Sequence, residues 1–224
     1  FMDYNCSKLF HELGFGKIIL IKSISYFLTI AIMVLAFTFL FTAILLLVLV
    51  SWRAGKVRGL VVIPPLFLLW ANLHGGVVAG LGLFGLAAIA ASIEDFRNSI
   101  WLWGCLFLSI AFTLVNPYGP DLWLYLGEAA LMERPGIEEW SSLPLSSPVG
   151  LGLLLFSALV ILGGKLSDRE IPFDTWFLLG AGLVATFWSQ RIGTFFLLLA
   201  AVFAGPPLRA LGARLSDSVP SYWI

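Results

Sequence analysis

The sequence predicts an all-α, polytopic membrane protein, a bundle of about six to seven transmembrane helices. Hydrophobic residues make up 60% and charged residues 12% of the 224 residues, and the mean hydropathy is +0.98. A soluble domain is about 25% charged. The apolar residues form continuous runs, without the alternation of barrel strands. Nine Trp residues fit side chains anchored at the two membrane interfaces.

Seven apolar runs are the candidate helices of this bundle. We place them at about residues 24–50, 59–72, 76–93, 99–115, 149–164, 173–188 and 192–207. Crossing ~30 Å of hydrocarbon takes ~20 helical residues, so the first run must tilt or extend beyond the bilayer. Several other runs are short, and their ends need neighbouring protein or thinned lipid.

Two runs carry residues that shape helix geometry. Pro64-Pro65 should break or kink the second run, since proline cannot continue the hydrogen-bonding pattern of a helix interior. In the third run, Gly76 and Gly80 are four residues apart, and Gly82 and Gly85 lie on neighbouring faces. Small residues at this spacing let helices approach closely in lipid, so we predict tight packing there.

Basic residues between the runs determine the predicted orientation. They follow runs one, three, five and seven: Arg53, Lys56, Arg58, Arg97, Lys165, Arg169, Arg209 and Arg214. The positive-inside rule places these four connections, and with them the C-terminus, in the cytoplasm. The turns between the other runs should then face outward.

We treat residues 1–224 as a single membrane domain. Outside the helices we expect a polar N-terminal segment, a long extracytoplasmic loop and a cytoplasmic tail, at residues 1–23, 116–148 and 208–224. The long loop has five acidic residues against a single Arg134, which agrees with an outward position. Lys8, Lys17 and Lys22 precede the first run and would also lie outside, so the side of the N-terminus stays open.

The polar residues of the outward turns form the candidate site. These turns have the sequences WANLHGG (70–76), NPYGPDLWLY (116–125), IEEWSSLPLSSP (137–148) and WSQRIG (188–193). The candidate substrate-binding residues are Asn72, His74, Asn116, Tyr118, Glu138, Glu139 and Arg191. An ionisable group at the membrane edge marks a site by default. Arg191 is the clearest case, with Glu138 or Glu139 as its candidate partner.

Each of these features also has a structural interpretation. His74 can simply cap its turn, and Asn116 to Gly119 form a good turn sequence on their own. Trp123, Tyr125 and Trp140 can be interface anchors, residues 121–132 can be an amphipathic helix in the interface, and the Arg191 pair can be structural. We expect no metal site, since the two histidines, His11 and His74, have no ligand spacing.

Together, the motifs resemble a family. Trp-x-Asn-x-His-Gly at a helix turn, then Asn-Pro-Tyr-Gly, Glu-Trp and an Arg before the last run, are similar to an uncharacterised group of bacterial polytopic proteins. That group is similar to the GT-C superfamily of glycosyltransferases. The match covers roughly residues 40–210. The resemblance implies a bacterial inner-membrane protein that takes a sugar from a polyprenyl-phosphate donor on the extracytoplasmic side.

The resemblance also assigns roles to individual residues. Arg191 would bind a phosphate oxygen, and Asn72, His74, Asn116 and Tyr118 would hydrogen-bond the sugar or the phosphate. The superfamily's acidic motif, which follows its first transmembrane helix, has no counterpart here. General-base catalysis needs a carboxylate within hydrogen-bond reach of the acceptor. The catalytic residue is therefore unknown, and the chain is either partial or a degenerate relative.

This departure leaves an alternative function open, a non-catalytic structural or accessory subunit of a larger membrane complex. Short helices that need neighbours and glycine-faced helices suit such a role. A transporter is less favoured, since transporters prefer polar groups near mid-membrane and two similar halves. The partners expected are membrane lipids and other protein subunits. Nucleic acid is not expected, because no long run of basic residues is present.

Overall fold

Helices are the only regular elements in the part of the chain that the computed structural model describes, residues 36–132, 140–167 and 170–217. They are α1 (Ala36–Arg53), a 3₁₀-helix (Val57–Val62) leading into α2 (Ile63–Leu73), α3 (Val77–Glu94), α4 (Phe96–Thr113), α5 (Asp121–Leu131), α6 (Pro148–Lys165), α7 (Phe173–Trp188), α8 (Gly193–Phe203) and α9 (Gly205–Asp217). The predicted all-α class is confirmed for these residues. The predicted N-terminal segment, residues 1–23, lies outside them.

Three helices, α1, α3 and α6, are long and apolar enough to cross a membrane. A fourth span is present if Gln190–Phe203 and Gly205–Arg214, which meet at a bend of 58°, count as one. The apolar stretches Val57–Leu73 and Phe173–Trp188 are shorter than a full span. The helical structure therefore confirms several apolar helices compatible with a membrane.

The bounds of the helices follow the predicted runs closely, with two informative differences. Pro64 and Pro65 do not break a helix but lie in the first turn of α2, where the 3₁₀-helix before it ends. Amide groups in a first turn have no partner within the helix, so proline is tolerated there. The predicted tail, from residue 208, begins as part of α9, which bends away from α8 at Ala204.

The first half of the bundle packs around aromatic rings. Phe67 stacks on Trp70 at 5.6 Å between ring centroids and on Phe84 at 6.2 Å, and Phe41 contacts Trp70 from α1. Trp70 is completely buried. A Cβ atom on Gly80 would overlap its ring, so the tight packing predicted for the third run is confirmed at this glycine.

The second half packs in the same way, with small residues at the helix crossings. Gly163 of α6 lies directly against the backbone of Pro207 in α9. A Cβ on Gly182 of α7 would lie 2.9 Å from Leu199 Cδ1 of α8. The two halves meet where α3 and α7 touch, and there the Glu94 carboxylate accepts a hydrogen bond from the Asp174 amide at 3.2 Å.

Contacts between distant turns and helix ends give the bundle two distinct ends. We call one the His74 end, since it holds the α2–α3 turn (74–76), the segment after α4 (114–120), the segment before α6 (140–147) and the α7–α8 turn (189–192). We call the other the Arg53 end, where α1 finishes and α3 meets α4. The sequence predicts that the first end faces outward and the second faces the cytoplasm.

Two matched substitutions in α3 test the packing of its glycine face. Gly80→Ala should lower the free energy of unfolding by about 1–3 kcal/mol, because the added methyl group meets the buried Trp70 ring. Gly82→Ala should be neutral or stabilising by up to about 1 kcal/mol, since nothing lies within 4 Å of the added atom. Thermal unfolding of both variants in the same detergent checks this. Equal melting temperatures would contradict it.

Candidate functional site

His74 joins the α2–α3 turn to α1 through one ring nitrogen. Its Nδ1 accepts a hydrogen bond from the amide of Gly76 at 3.1 Å and lies 2.5 Å from the hydroxyl of Thr38 in α1. An amide can only donate, so Nδ1 is an acceptor, the Thr38 hydroxyl donates to it, and the ring proton lies on Nε2. The structural interpretation, that His74 caps its turn, is therefore confirmed.

The surroundings of His74 favour its neutral form. Burial lowers the pKa of the imidazole below its ordinary 6.5, and the positive charge of Arg191 lowers it further. Gly76 is required beside it, since a Cβ there would lie 2.8 Å from Nδ1. His74 and Arg191 thus lie near enough for the charge of one to act on the other, although they are 117 positions apart in sequence (191 − 74).

Arg191 lies in a short 3₁₀-turn, Gln190–Ile192, between α7 and α8. Its guanidinium lies over the ring of Trp140, 4.5 Å from the ring centroid. Gln190 joins this turn to the segment before α6 through two hydrogen bonds. Its backbone amide donates to the Ser141 carbonyl at 3.2 Å, and its side-chain amide donates to the Ser141 hydroxyl at 3.0 Å. The predicted partners, Glu138 and Glu139, lie outside the described residues.

The two candidate asparagines serve the backbone of the turns. Asn72 donates to the carbonyl groups of Leu68 and Val115 at 2.8 and 2.9 Å, which ties α2 to the segment after α4. The side-chain oxygen Oδ1 of Asn116 accepts a hydrogen bond from the backbone amide of Tyr118 at 2.7 Å. Its amide nitrogen donates to the carbonyl of Gly119, which has a φ of +54°. The interpretation of Asn116 to Gly119 as a turn is confirmed, and both amides are already engaged.

Helix α5 lies across the His74 end. The Trp123 indole donates to the Thr113 hydroxyl at 3.1 Å, and a Cβ on Gly75 would lie 3.0 Å from Leu126 Cδ2. The helix predicted for residues 121–132 is therefore present, and Trp123 packs against the protein rather than acting as an interface anchor alone. Unlike Trp123, Tyr118 is largely exposed, at 70% of its surface.

Sequence reasoning missed a second polar cluster, at the Arg53 end. Arg53 Nη2 lies 2.6 Å from Asp174 Oδ1, and Nη1 donates to the Thr175 hydroxyl at 3.3 Å. The Asp174 side chain is 7% exposed, and its amide donates to Glu94. An acid in the second position of an apolar run was the available signal, because a charge there needs a partner.

No group of three or more His, Cys, Asp or Glu side chains that could hold a metal occurs in residues 36–132, 140–167 and 170–217. Comparison of the chain with protein-family models, curated proteins and solved structures finds no match. The resemblance to the GT-C superfamily therefore stays a prediction that rests on the four motifs.

Acidification should destabilise the protein through His74. The folded-state pKa lies below the unfolded value of 6.5, so the unfolded state binds the proton first. Stability is full above pH 6.5 and falls as the pH drops through the folded-state pKa, because a protonated Nδ1 cannot accept from Gly76 or Thr38. The melting temperature should be lower at pH 5.5 than at pH 7.5.

The matched variants separate this effect from general acid destabilisation. His74→Asn keeps an acceptor for the amide two residues on but does not titrate, so the difference between the two pH values should shrink. His11→Asn, at the chain's other histidine, should leave the difference unchanged. A wild-type difference that survives in His74→Asn would show that another group is responsible.

Removing one partner of the Arg53–Asp174 pair should cost of the order of 3 kcal/mol of unfolding free energy, since it leaves a partly buried charge without compensation. We expect this loss for Asp174→Asn in chemical or thermal unfolding, and almost none for Asp121→Asn on exposed α5. Replacing both partners with apolar residues should recover much of the stability. A double variant as weak as the single one would contradict this interpretation.

Proposed function

We propose that the chain binds a polyprenyl-phosphate-linked sugar at its His74 end, as a GT-C-like protein with six to seven spans in a bacterial inner membrane. The observation that carries the proposal is the placement of Arg191, whose guanidinium lies over Trp140, and of His74, whose Nδ1 is engaged by Thr38 and Gly76, in turns at one end of an apolar bundle. A phosphate at the membrane edge needs a cation and neutral donors, with its lipid tail left in hydrocarbon.

Arg191 is the proposed phosphate ligand. A guanidinium presents planar pairs of donors that match phosphate oxygens and cannot lose its proton at physiological pH. The Trp140 ring supports one face of this group, which limits the orientations it can adopt. The Nε2–H of neutral His74 is the proposed donor to a sugar hydroxyl or a phosphate oxygen. Asn72 and Asn116 then act indirectly, by holding the turns in place.

Exposed aromatic residues support a membrane–water boundary at this end. Tyr118 lies in the segment after α4, Tyr125 in α5 and Trp188 at the end of α7, and they are 70%, 66% and 82% exposed. Tyr and Trp side chains of this kind are enriched where headgroups meet water. The proposal is limited to binding, since sugar transfer also needs a carboxylate, and Glu138 and Glu139 lie outside the described residues.

Arg191→Ala should weaken binding of a polyprenyl phosphate about tenfold or more, because a charge-assisted hydrogen bond is lost. The measurement is native mass spectrometry of the full chain titrated with polyprenyl phosphate, with the neutral polyprenol as ligand control. Arg97→Ala, at an exposed position near the Arg53 end, is the protein control. Arg191→Lys should retain part of the affinity. Equal affinities for wild type and Arg191→Ala would refute the proposal.

The alternative, a non-catalytic subunit, is favoured by one observation on α6. Only 17% of its membrane window is buried within the chain, against 50% for α3. Leu151 and Leu155 share its exposed face, one helical turn apart. If a companion covers that face, Leu155→Trp should remove it from gently extracted complexes, whereas Leu47→Trp on the exposed face of α1 should not. A companion retained equally by both variants would argue against this role.

A further inference from the structure

A cavity opens at the Arg53 end, far from the site proposed for the polyprenyl phosphate. Its volume is about 650 Å³, within the range of small-molecule sites. The end of α1, the segment before α7 and the α8–α9 bend form its walls. The polar side chains in the lining are Arg53, Ser167, Glu170, Thr175 and Arg209.

Two guanidinium groups converge on this cavity from different helices. Arg53 of α1 lies over the ring of Phe203, 5.9 Å from the ring centroid. Arg209 folds back over the start of α9, where its Nη1 would lie 3.4 Å from a Cβ on Gly205. Phe203 and Gly205 flank the α8–α9 bend, so both guanidinium groups lie at this bend. Like charges repel, and an anion between them would remove that repulsion.

No described carboxylate lies between the two guanidinium groups as this anion. Asp174 pairs with Arg53 on the side of α7 and does not line the cavity. Glu170 is the one carboxylate among the described lining residues, and it is exposed. Arg209 makes no ion pair within residues 36–132, 140–167 and 170–217. The described charges in the wall are thus two positive and one negative; Arg53 is paired with Asp174 behind the wall, which leaves Arg209 as the cation without a carboxylate partner among the described residues.

We propose that this cavity binds a phosphate group, carried by an anionic phospholipid or by a small soluble ligand. Arg53 and Arg209 bind its oxygens as paired donors, and the hydroxyl groups of Ser167 and Thr175 complete a polar wall. Basic pockets between helices at a membrane surface bind lipid headgroups through this chemistry. The site is independent of Arg191, so either proposal can fail without the other.

Three single variants of the full chain in nanodiscs test the proposal. Arg209→Gln should weaken binding about tenfold, a loss of about 1.4 kcal/mol. Glu170→Gln should strengthen it several-fold, because a repelling carboxylate becomes neutral. Arg214→Gln, on the same helix but outside the cavity, should change it less than twofold. A residue that only maintains the fold would not give opposite signs at positions 209 and 170.

The two probes are phosphatidylglycerol, present at increasing fractions in phosphatidylcholine nanodiscs, and inorganic phosphate added to pure phosphatidylcholine nanodiscs. Retained lipid is counted by native mass spectrometry, and phosphate binding is measured as a rise in melting temperature. Protection by the lipid alone identifies a headgroup, and protection by free phosphate identifies a soluble ligand. Equal weakening by Arg209→Gln and Arg214→Gln, or binding of neither probe, would overturn the proposal.

Discussion

The contact between the Trp70 ring and Gly80 is the constraint on which the first half of the molecule depends. Gly80 has no side chain, so α3 can lie directly on the indole, and Phe67, Phe84 and Phe41 close around it. The α2–α3 turn then has little freedom, since both of its helices are held one turn away. His74 can therefore reach Thr38 of α1 and accept the amide of Gly76.

The polar chemistry of the bundle is divided between its two ends. At the His74 end, three contacts join elements that are distant in sequence: Asn72 to Val115, Gln190 to Ser141, and Arg191 to Trp140. At the Arg53 end, charged side chains join the distant elements instead. Arg53, Asp174 and Glu94 link α1, α7 and α3. Helix bundles in lipid lack the hydrophobic drive of a soluble core, and polar contacts and close glycine packing of this kind give such bundles a specific arrangement.

The sequence was sufficient to predict the helices and the turns between them, but not the use of each side chain. Apolar runs and prolines are local signals, so the bounds of α3, α6 and α7 were predicted to within one residue. Asn116 was a candidate ligand residue, but its side-chain amide hydrogen-bonds the backbone of its own turn. Such local hydrogen bonds compete with ligand binding for the same side chain. The Arg53–Asp174 pair escaped notice because 121 residues separate its members (174 − 53). The pairing depends on how α1 and α7 pack, which periodicity does not encode.

The 58° bend between α8 and α9 has a mechanical consequence. At 1.5 Å per residue, the 13 residues of α9 form a rod of about 20 Å, so its far end lies about 17 Å to the side of the α8 axis. Pro206 and Pro207 lie at the bend and restrict its backbone. Gly163 of α6 lets the backbone of Pro207 approach closely, because it has no side chain. The bend therefore sets α9 sideways from the axis of α8, where its packing against α6 holds it.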